Sequence, residues 1–394
     1  MTNCKLVVNG KSYGGFKNIS IRQSVEAISS VYSFDFSNMW DASQEAWPLN
    51  PQDLVQIELH GVSIIRGYID VLKGSLDSGT VSYTIEGRDK TSDLVDCSCF
   101  PKGYESIGLL ALCQSIVSQF PVSFTVSGGV DPNQKVSSIN ADFGETVFEV
   151  LDKISSKAGV LFVPDGKGDL VITQRGSEKA AAKLIEGVNA KNFSFTKDYS
   201  ERYSDYTVQG SNGKSKSVAK ASGWFLPAAG STSATKSVPR SDVQDLGVTR
   251  FRPLSVKQSG GASNSLTVKN RAEWEANVRA AKSLEITCTI QGWEQEPGLG
   301  RLWRINEMVQ VTAPKLGIGN AYGDEYLLSE IEYKLSDSGG EETLVKLLPK
   351  EAFLPSVRVD KAKKDEKGAG WFSSHSNDIQ VYPGAQSTQR KDAH

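Results

Sequence analysis

The stretch that decides the fold is Asn50-Pro51-Gln52-Asp53-Leu54-Val55-Gln56-Ile57, because a second version of it stands near the other end of the chain. That version is Arg304-Ile305-Asn306-Glu307-Met308-Val309-Gln310-Val311. Each version places an acidic residue and an apolar residue before Val-Gln and a β-branched residue. Such alternation puts every second side chain on a core face and is typical of a β-strand. The pair predicts a β-rich unit that occurs twice.

The residues that follow the two versions also correspond. A strand, a turn containing Asp-Ser-Gly and a second strand follow at 66–71, 77–79 and 81–86, and again at 326–333, 337–339 and 343–348. The second copy has six more residues between its Gln and its Asp-Ser-Gly. Strand-turn-strand patterns are common, so chance similarity is the alternative. If the repeat is real, a closed ring of three chains presents six similar surfaces, which suits an adaptor between sixfold and threefold objects.

A different period begins near residue 104. Apolar residues follow helical spacing at 109–120 and again at 147–158, where Gly159 is placed to end the helix. Short strands are expected near 122–126, 160–163 and 170–173. These elements predict a compact α/β unit inserted between β parts.

The remaining segments divide the chain further. Residues 176–270 predict strands at 193–195 and 203–208 among long loops, because 210–223, 228–237 and 258–265 are rich in Gly, Ser, Ala and Lys. A helix is expected at 271–284, with a strand from 286. The predicted domains are a first tube-like β-barrel (1–100), the small α/β unit (101–175), a loop-rich β region (176–285), second-barrel strands (286–355) and a polar tail (356–394). The tail is either disordered or orders on a partner.

Composition excludes several classes of protein. The 394 residues carry 44 Lys and Arg against 46 Asp and Glu, which argues against a dedicated nucleic-acid binder. No apolar run approaches the roughly 20 residues of a membrane span, and the first residues lack a secretory signal. Five cysteines, an odd and sparse set, favour reduced thiols made in a cytosol. Only three histidines leave little for histidine catalysis or zinc.

Three groups of residues are candidates for a binding or catalytic site, and each has a simpler interpretation. Residues 210–215, Gly-Ser-Asn-Gly-Lys-Ser, hint at a phosphate loop, but Val208 stands where the pattern needs glycine. Cys97, Cys99 and Cys113 lack zinc spacing and a fourth ligand. His60 falls on the polar face of a strand. The members of a catalytic triad or of a carboxylate pair come together only in the folded structure, so the sequence alone does not identify them. We therefore predict no catalytic, cofactor-binding or metal-binding residues and no cofactor.

The tryptophans offer one more candidate site. A sugar-stacking surface is one interpretation of them, whereas packing in a core or a protein interface is favoured. The five in question are Trp40, Trp47, Trp224, Trp293 and Trp303.

Two blocks resemble a known family, the Mu-like phage baseplate hub proteins. The first is Ile65-Arg66-Gly67-Tyr68-Ile69-Asp70 together with Gly87-Arg88-Asp89-Lys90-Thr91-Ser92-Asp93-Leu94-Val95-Asp96-Cys97. The second comprises Gly292-Trp293, Leu302-Trp303, residues 308–311, Pro314, Gly317-Ile318 and 347–353. The resemblance covers about residues 1–355, and the Gly87–Cys97 block is its specific part.

The resemblance implies a fold that is mainly β with an α+β insertion: two tube-like β-barrel domains plus a small α/β domain. It implies a homotrimer that joins a hexameric tail tube, or a tube-initiator protein, to a trimeric central spike among other baseplate proteins. DNA would meet it only in transit through the lumen. The expected location is the virion tail baseplate, assembled in the host cytoplasm, with no enzymatic activity. A tail-associated cell-wall hydrolase and a carbohydrate-binding tail module are the alternatives, and no contact residues are assigned.

Overall fold

The computed structural model describes residues 4–39, 48–77, 80–104, 107–136, 139–176, 178–210, 238–257, 265–318, 324–337 and 339–349. About half of these residues lie in strands, and four α-helices accompany them in the described ranges. The prediction of a mainly β chain with an α/β insertion is confirmed. The 356–394 tail lies outside the described residues, and the five-part division of the sequence stays a prediction.

The first β part is a run of seven strands. They are β1 (Cys4–Val8), β2 (Lys11–Tyr13), β3 (Phe16–Ser24), β4 (Val31–Met39), β5 (Leu54–Leu59), β6 (Val62–Asp77) and β7 (Thr80–Asp89). Asp77 pairs with Thr80 at the end of the β6–β7 ladder, so the hairpin predicted there forms. Alternation of apolar and polar residues builds each strand, as in β5, whose Val55, Ile57 and Leu59 are buried.

The inserted unit mixes short helices and strands. It contains α1 (Ser92–Asp96), β8 (Lys102–Tyr104), α2 (Leu109–Val117), β9 (Phe124–Val126), β10 (Ile139–Ala141), α3 (Val147–Ala158), β11 (Leu161–Pro164) and β12 (Leu170–Thr173). Thr146 and Glu149 form a reciprocal capping box at the start of α3, and Gly159 ends it with φ of 69°. Both predicted helices are confirmed, whereas α1 was not predicted.

The second β part begins with short strands and ends with long ones. Its elements are β13 (Glu178–Lys179), β14 (Leu184–Ile185), β15 (Ala190–Lys197), β16 (Asp205–Gln209), β17 (Arg240–Gln244), β18 (Pro253–Lys257), α4 (Ser265–Lys282), β19 (Leu284–Gln291), β20 (Glu307–Thr312), β21 (Asp324–Ser336) and β22 (Gly340–Pro349). The helix starts six residues before the predicted 271. The predicted loop 258–265 is therefore wrong at Ser265, which begins the helix, and its other residues lie outside the described ranges.

One sheet unites both β parts. Its order is β15-β19-β22-β21-β3-β4-β7-β6-β5-β1-β2, with β20 beside β21 and β13 and β14 beside β20. A single apolar core runs beneath it from Cys4 to Leu347, whereas the inserted unit has a separate core between Leu94 and Ile172 that also takes in Ile28. A smaller sheet, β17-β16-β18, packs Val208 against Val268 and Ala272 of α4.

No helix in the described ranges is long and apolar enough to cross a membrane.

Candidate functional site

The large sheet contains the same five-stranded unit twice. We call β3-β4-β7-β6-β5 the first sheet module and β15-β19-β22-β21-β20 the second sheet module. Within each module, every pair of neighbouring strands is antiparallel. The two versions of the repeated sequence stretch open the fifth strand in both modules.

The registers of the two sheet modules match residue by residue. In the first, Ile21 lies opposite Tyr32, and Tyr32 lies opposite Gly87. In the second, Phe195 lies opposite Ile286, and Ile286 opposite Leu347. One strand further, Gly87 faces Ile69, and Leu347 faces Leu328.

Irregularities of the ladders repeat as well. The register of the first module shifts between Phe16 and Asn18 and again between Ile69 and Val71. The second module shifts at the equivalent places, between Ala190 and Asn192 and between Leu328 and Glu330. A β-bulge bends its strand and sets the local twist, so shared bulges give the modules the same curvature.

The same backbone turn enters the fifth strand of each module. Gln52 and Asn306 both have left-handed backbone, with φ of 76° and 66°. The Gln52 amide donates to the Ile69 carbonyl at 2.8 Å, and the Asn306 amide donates to the Leu328 carbonyl at 2.8 Å. The similarity predicted from the sequence is therefore structural. Five of the six additional residues fall between β20 and β21, and the sixth lies in the β21–β22 turn.

The two sheet modules are joined by a ladder between β3, the first strand of the first module, and the part of β21 that β20 leaves unpaired. Six residue pairs form it, from Glu330 opposite Ser24 to Leu335 opposite Ile19. Tyr333 and Ile21 meet on its buried face, while on the other face the Ser20 hydroxyl donates to Glu332 Oε1 at 2.7 Å. The Val25 amide donates to the Ser329 carbonyl at 2.8 Å and extends the joint.

The Gly87–Cys97 block ends β7 and fastens the inserted unit. Asp89 is buried, and its carboxylate accepts from the amides of Ser30 at 2.8 Å and Thr91 at 3.2 Å and from the Thr91 hydroxyl. Burial raises the pKa of Asp89 above its ordinary value, against the lowering effect of these bonds. The Lys90 ammonium donates to the Pro121 carbonyl at 2.7 Å and lies 3.0 Å from Asp169. This block therefore has an architectural function.

Arg88 occupies a shallow depression of the outer face beside the joint. Its guanidinium contacts both Asp96 oxygens, at 2.7 and 3.1 Å, and Asp70 at 2.8 Å. These hydrogen bonds lower the pKa of Asp96 and raise that of Arg88. Because Arg88 already has carboxylate partners, the depression is not suited to capture a phosphate.

Gly87 lies where the backbones of neighbouring strands approach closely. A Cβ atom there would overlap the Tyr68 carbonyl oxygen and the Tyr32 hydroxyl. That hydroxyl donates to the same carbonyl at 2.8 Å. Only a residue without a side chain fits this position.

We expect Gly87→Ala to reduce the free energy of unfolding by about 1–3 kcal/mol, because the new methyl forces the ladder apart. Chemical denaturation followed by circular dichroism measures the loss. Gly103→Ala on β8 is the matched control, since the nearest atom that a Cβ there would meet is Asn140 Oδ1 at 3.4 Å. Equal losses in the two variants would contradict the steric explanation.

His60 links the first sheet module to the loop before β20. It lies in the β5–β6 turn with φ of 49°, rather than on the polar face of a strand as predicted. Its Nδ1 is 2.7 Å from Glu294 Oε1 and its Nε2 is 3.6 Å from Glu341 Oε2. The ring also packs edge-on against Trp293. These three contacts, all with described residues, are to two carboxylates and an indole ring, and no Ser or Cys side chain is among them. His60 therefore connects structural elements.

The cysteines do not form a metal centre among the residues that the structure describes. Cys97 is exposed, whereas Cys4, Cys99, Cys113 and Cys288 are buried. Burial raises the pKa of the Cys113 thiol to about 12, so it stays protonated at neutral pH. Within the described ranges, no group of three or more His, Cys, Asp or Glu side chains is arranged to hold a metal ion.

The remaining candidates are the tryptophans and the phosphate-loop segment. Some of these residues are buried, and the others lie outside the described residues. Trp293 and Trp303 are fully buried, so neither stacks on a sugar. Trp40, Trp47 and Trp224 lie outside the described residues, as do all residues of the phosphate-loop candidate after Gly210. The structure therefore places core tryptophans beneath the second sheet module, as the favoured interpretation predicted.

Sequence reasoning missed the residues that define the joint. Ser20, Arg22 and Glu332 belong to strands with ordinary alternation, and nothing local marks them as partners. For Asp89, the sequence did give one indication of importance, since this residue lies inside the block that resembles the hub family. The pairing of β3 with β21 depends on how strands that are distant in the sequence are arranged in space, and no local sequence pattern predicts this arrangement.

Comparison with known proteins agrees with the family resemblance found in the sequence. Three family models match: the N-terminal domain of "Mu phage baseplate assembly protein GpP-like" at residues 3–89, the second domain of "Baseplate hub protein gp44-like" at 91–174, and the fourth domain of "Mu phage baseplate assembly protein GpP" at 264–356. Baseplate hub protein gp44 of Escherichia phage Mu is 29% identical over 373 residues, covering 92% of this chain and 91% of that protein.

Solved structures agree. The 43 kDa tail protein of prophage MuSo2 from Shewanella oneidensis is 27% identical with a TM-score of 0.73, covering 89% of this chain and 99% of that one. A tail protein from Neisseria meningitidis MC58 shares the fold at 18% identity with a TM-score of 0.74, covering 90% and 98%.

Together, the duplicated sheet and these similarities define a hub protein of a phage tail baseplate. The chain belongs to the Mu-like phage baseplate hub family.

Proposed function

We propose that this hub protein works as a homotrimeric connector between a sixfold tail tube and a threefold spike. The observation that carries the proposal is the duplication of the sheet module within one chain, with matching registers and two shared bulges. Three chains bring six equivalent modules to one ring. A ring of that kind offers six similar contacts on one side while its true symmetry remains threefold.

The differences between the modules fit the threefold side of this proposal. The fifth strand of the first module pairs with β1, antiparallel, whereas the fifth strand of the second pairs with β13 and β14, parallel. The inserted α/β unit follows only the first module. These features alternate around the ring and so repeat three times, which is the symmetry that a trimeric spike needs.

Catalysis is not part of the proposal, and the lumen serves passage of DNA or a tail protein. Support comes from the relative in phage Mu, which is described as a baseplate hub protein. Incubation of the folded protein with purified peptidoglycan is expected to leave turbidity unchanged. Clearing of the suspension would favour the hydrolase alternative instead.

Native mass measurement tests the connector proposal directly. The expected species at micromolar concentration has a mass of about 128 kDa, three times the 42.7 kDa of one chain. Negative-stain class averages of the same sample are expected to show a ring with six lobes around a channel. A monomer at all concentrations, with or without tube and spike proteins, would overturn the proposal.

A further inference from the structure

The ladder between β3 and β21 has a counterpart that one chain leaves incomplete. β15 occupies in the second sheet module the place that β3 has in the first, and β6 occupies in the first the place of β21. Within the described ranges, residues 192–197 of β15 pair with β19 alone, while Ala190 also bridges Glu186 of the same chain. The part of β6 from Val71 onward pairs with β7 alone. Each chain therefore presents both halves of a second joint, on different modules.

We propose that β15 of one chain pairs with β6 of a second copy, in the register that β3 and β21 use within the chain. This inference rests on the proposed ring and names the contact that closes it. Tyr333 and Gly74 are equivalent, because they lie opposite Thr343 and Tyr83. Ile21 and Phe195 are equivalent, because they lie opposite Tyr32 and Ile286. The pair Tyr333–Ile21 thus becomes Gly74–Phe195.

The complete register follows from this one pair. It runs antiparallel from Val71 opposite Asp198 to Leu76 opposite Phe193 and places Ser75 opposite Ser194. The Val25 amide donates to the Ser329 carbonyl beside the β3–β21 ladder. In the proposed contact, the equivalent bond runs from the Tyr199 amide of one copy to the Asp70 carbonyl of the next. The contact is head to tail, so repeated copies form a ring when the rotation closes.

The apolar residues on both edges fit the proposed contact. Leu76 is 65% exposed and Phe195 is 41% exposed, although both alternate toward the face that is buried in the β3–β21 ladder. Leu72 and Phe193 lie on the same face and pack at the margin of the main core. Exposed strand edges with apolar side chains invite association, and pairing with a second copy buries them. Opposite Phe195, Gly74 leaves space for the ring.

Engineered disulfides test the register in the full-length chain. Ser75→Cys with Ser194→Cys, in a Cys97→Ser background that removes the exposed thiol, places two thiols opposite each other between copies. Directly opposed strand residues meet the distance that a disulfide needs. Mild oxidation of the assembled protein is expected to give covalent dimers and trimers on denaturing gels. The matched control, Ser75→Cys with Thr196→Cys, is two residues out of register and is expected to give none.

The outcomes separate this inference from the connector proposal. Trimers that become covalently linked in the Ser75→Cys, Ser194→Cys variant and not in the control support the register. Trimers that do not link, or that link equally well in the control, overturn the register and leave the connector standing. Absence of trimers overturns both. Hydrogen exchange of the unmodified protein is a second measurement, and trimer formation is expected to slow exchange at 71–76 and 193–198.

A charge in the proposed contact gives a third readout. Phe195→Asp is expected to weaken trimer association at least about tenfold, because the aromatic surface that the contact buries is lost. Leu246→Asp is the control, since Leu246 is 91% exposed between β17 and β18 and outside the contact. Similar association constants for Phe195→Asp and the unmodified chain would contradict the proposed pairing.

Discussion

Replacement of Trp293 by alanine is expected to lower the free energy of unfolding by about 3–5 kcal/mol. The side chain is fully buried in the main core, and its removal leaves a large cavity. Its indole N–H donates to the Lys334 carbonyl at 2.9 Å, so the variant also loses a partner for β21. Denaturant titration of the full chain measures the loss.

Trp293→Phe separates the cavity from the hydrogen bond. It retains most of the buried volume and loses the N–H donor, so a loss of about 1–2 kcal/mol is expected. Because β21 carries the joint between the sheet modules, the alanine variant is also expected to increase hydrogen exchange along β3. Unchanged stability in Trp293→Ala would mean that the core does not depend on this side chain.

Replacement of Asp89 by alanine is expected to lower the free energy of unfolding by about 3 kcal/mol, since two buried amides lose their acceptor and a buried hydroxyl, which keeps the Ile28 carbonyl, loses one of its two acceptors. The donors are the Ser30 amide and the amide and hydroxyl of Thr91. These bonds hold β7 to the turn before β4 and to the start of α1, so the inserted unit is expected to loosen first. Limited proteolysis between residues 90 and 175, compared with the unmodified chain, reads out that loosening.

Asp89→Asn is the matched control and gives a pH signature. Burial raises the pKa of Asp89 above its ordinary 3.8, so the folded chain binds this proton more tightly than the unfolded chain. Its contribution to stability is therefore greatest at low pH and declines as the pH rises from 3.8 through the raised pKa. The asparagine variant lacks this decline, so the stability difference is expected to shift in its favour by about 1.4 kcal/mol per unit of pKa elevation. A constant difference between about pH 3 and 8 would contradict the assignment.

The sequence predicted those features that depend on local pattern. Alternation identified the long strands, helical spacing identified α2 and α3, and Gly159 marked the end of α3. The repeated stretch at Asn50–Ile57 and 304–311 predicted two related β units, and the equivalent turns at Gln52 and Asn306 confirm the relation.

Other features depend on contacts between distant residues. The four-pair register of β20 with β21 and the shared bulges follow from packing across the sheet, which alternation does not encode. Strands β17 and β18 were missed because polar residues dominate β17 and Lys257 ends β18 beside a Gly- and Ser-rich stretch. Arg240 and Asp242, which pair with each other, make β17 resemble a surface loop. The burial of Asp89 likewise depends on elements that meet only in the folded chain.

The joint between β3 and β21 has a consequence for synthesis of the protein. Ser20 and Glu332, which contact each other there, are separated by 312 residues. The edge of β3 therefore leaves the ribosome long before its partner exists, and pairing of such distant segments is intrinsically slow. A nascent chain in that interval exposes an unpaired strand edge that is prone to aggregation. Correct folding of the chain is therefore expected to require that this edge stays protected until β21 has been synthesised.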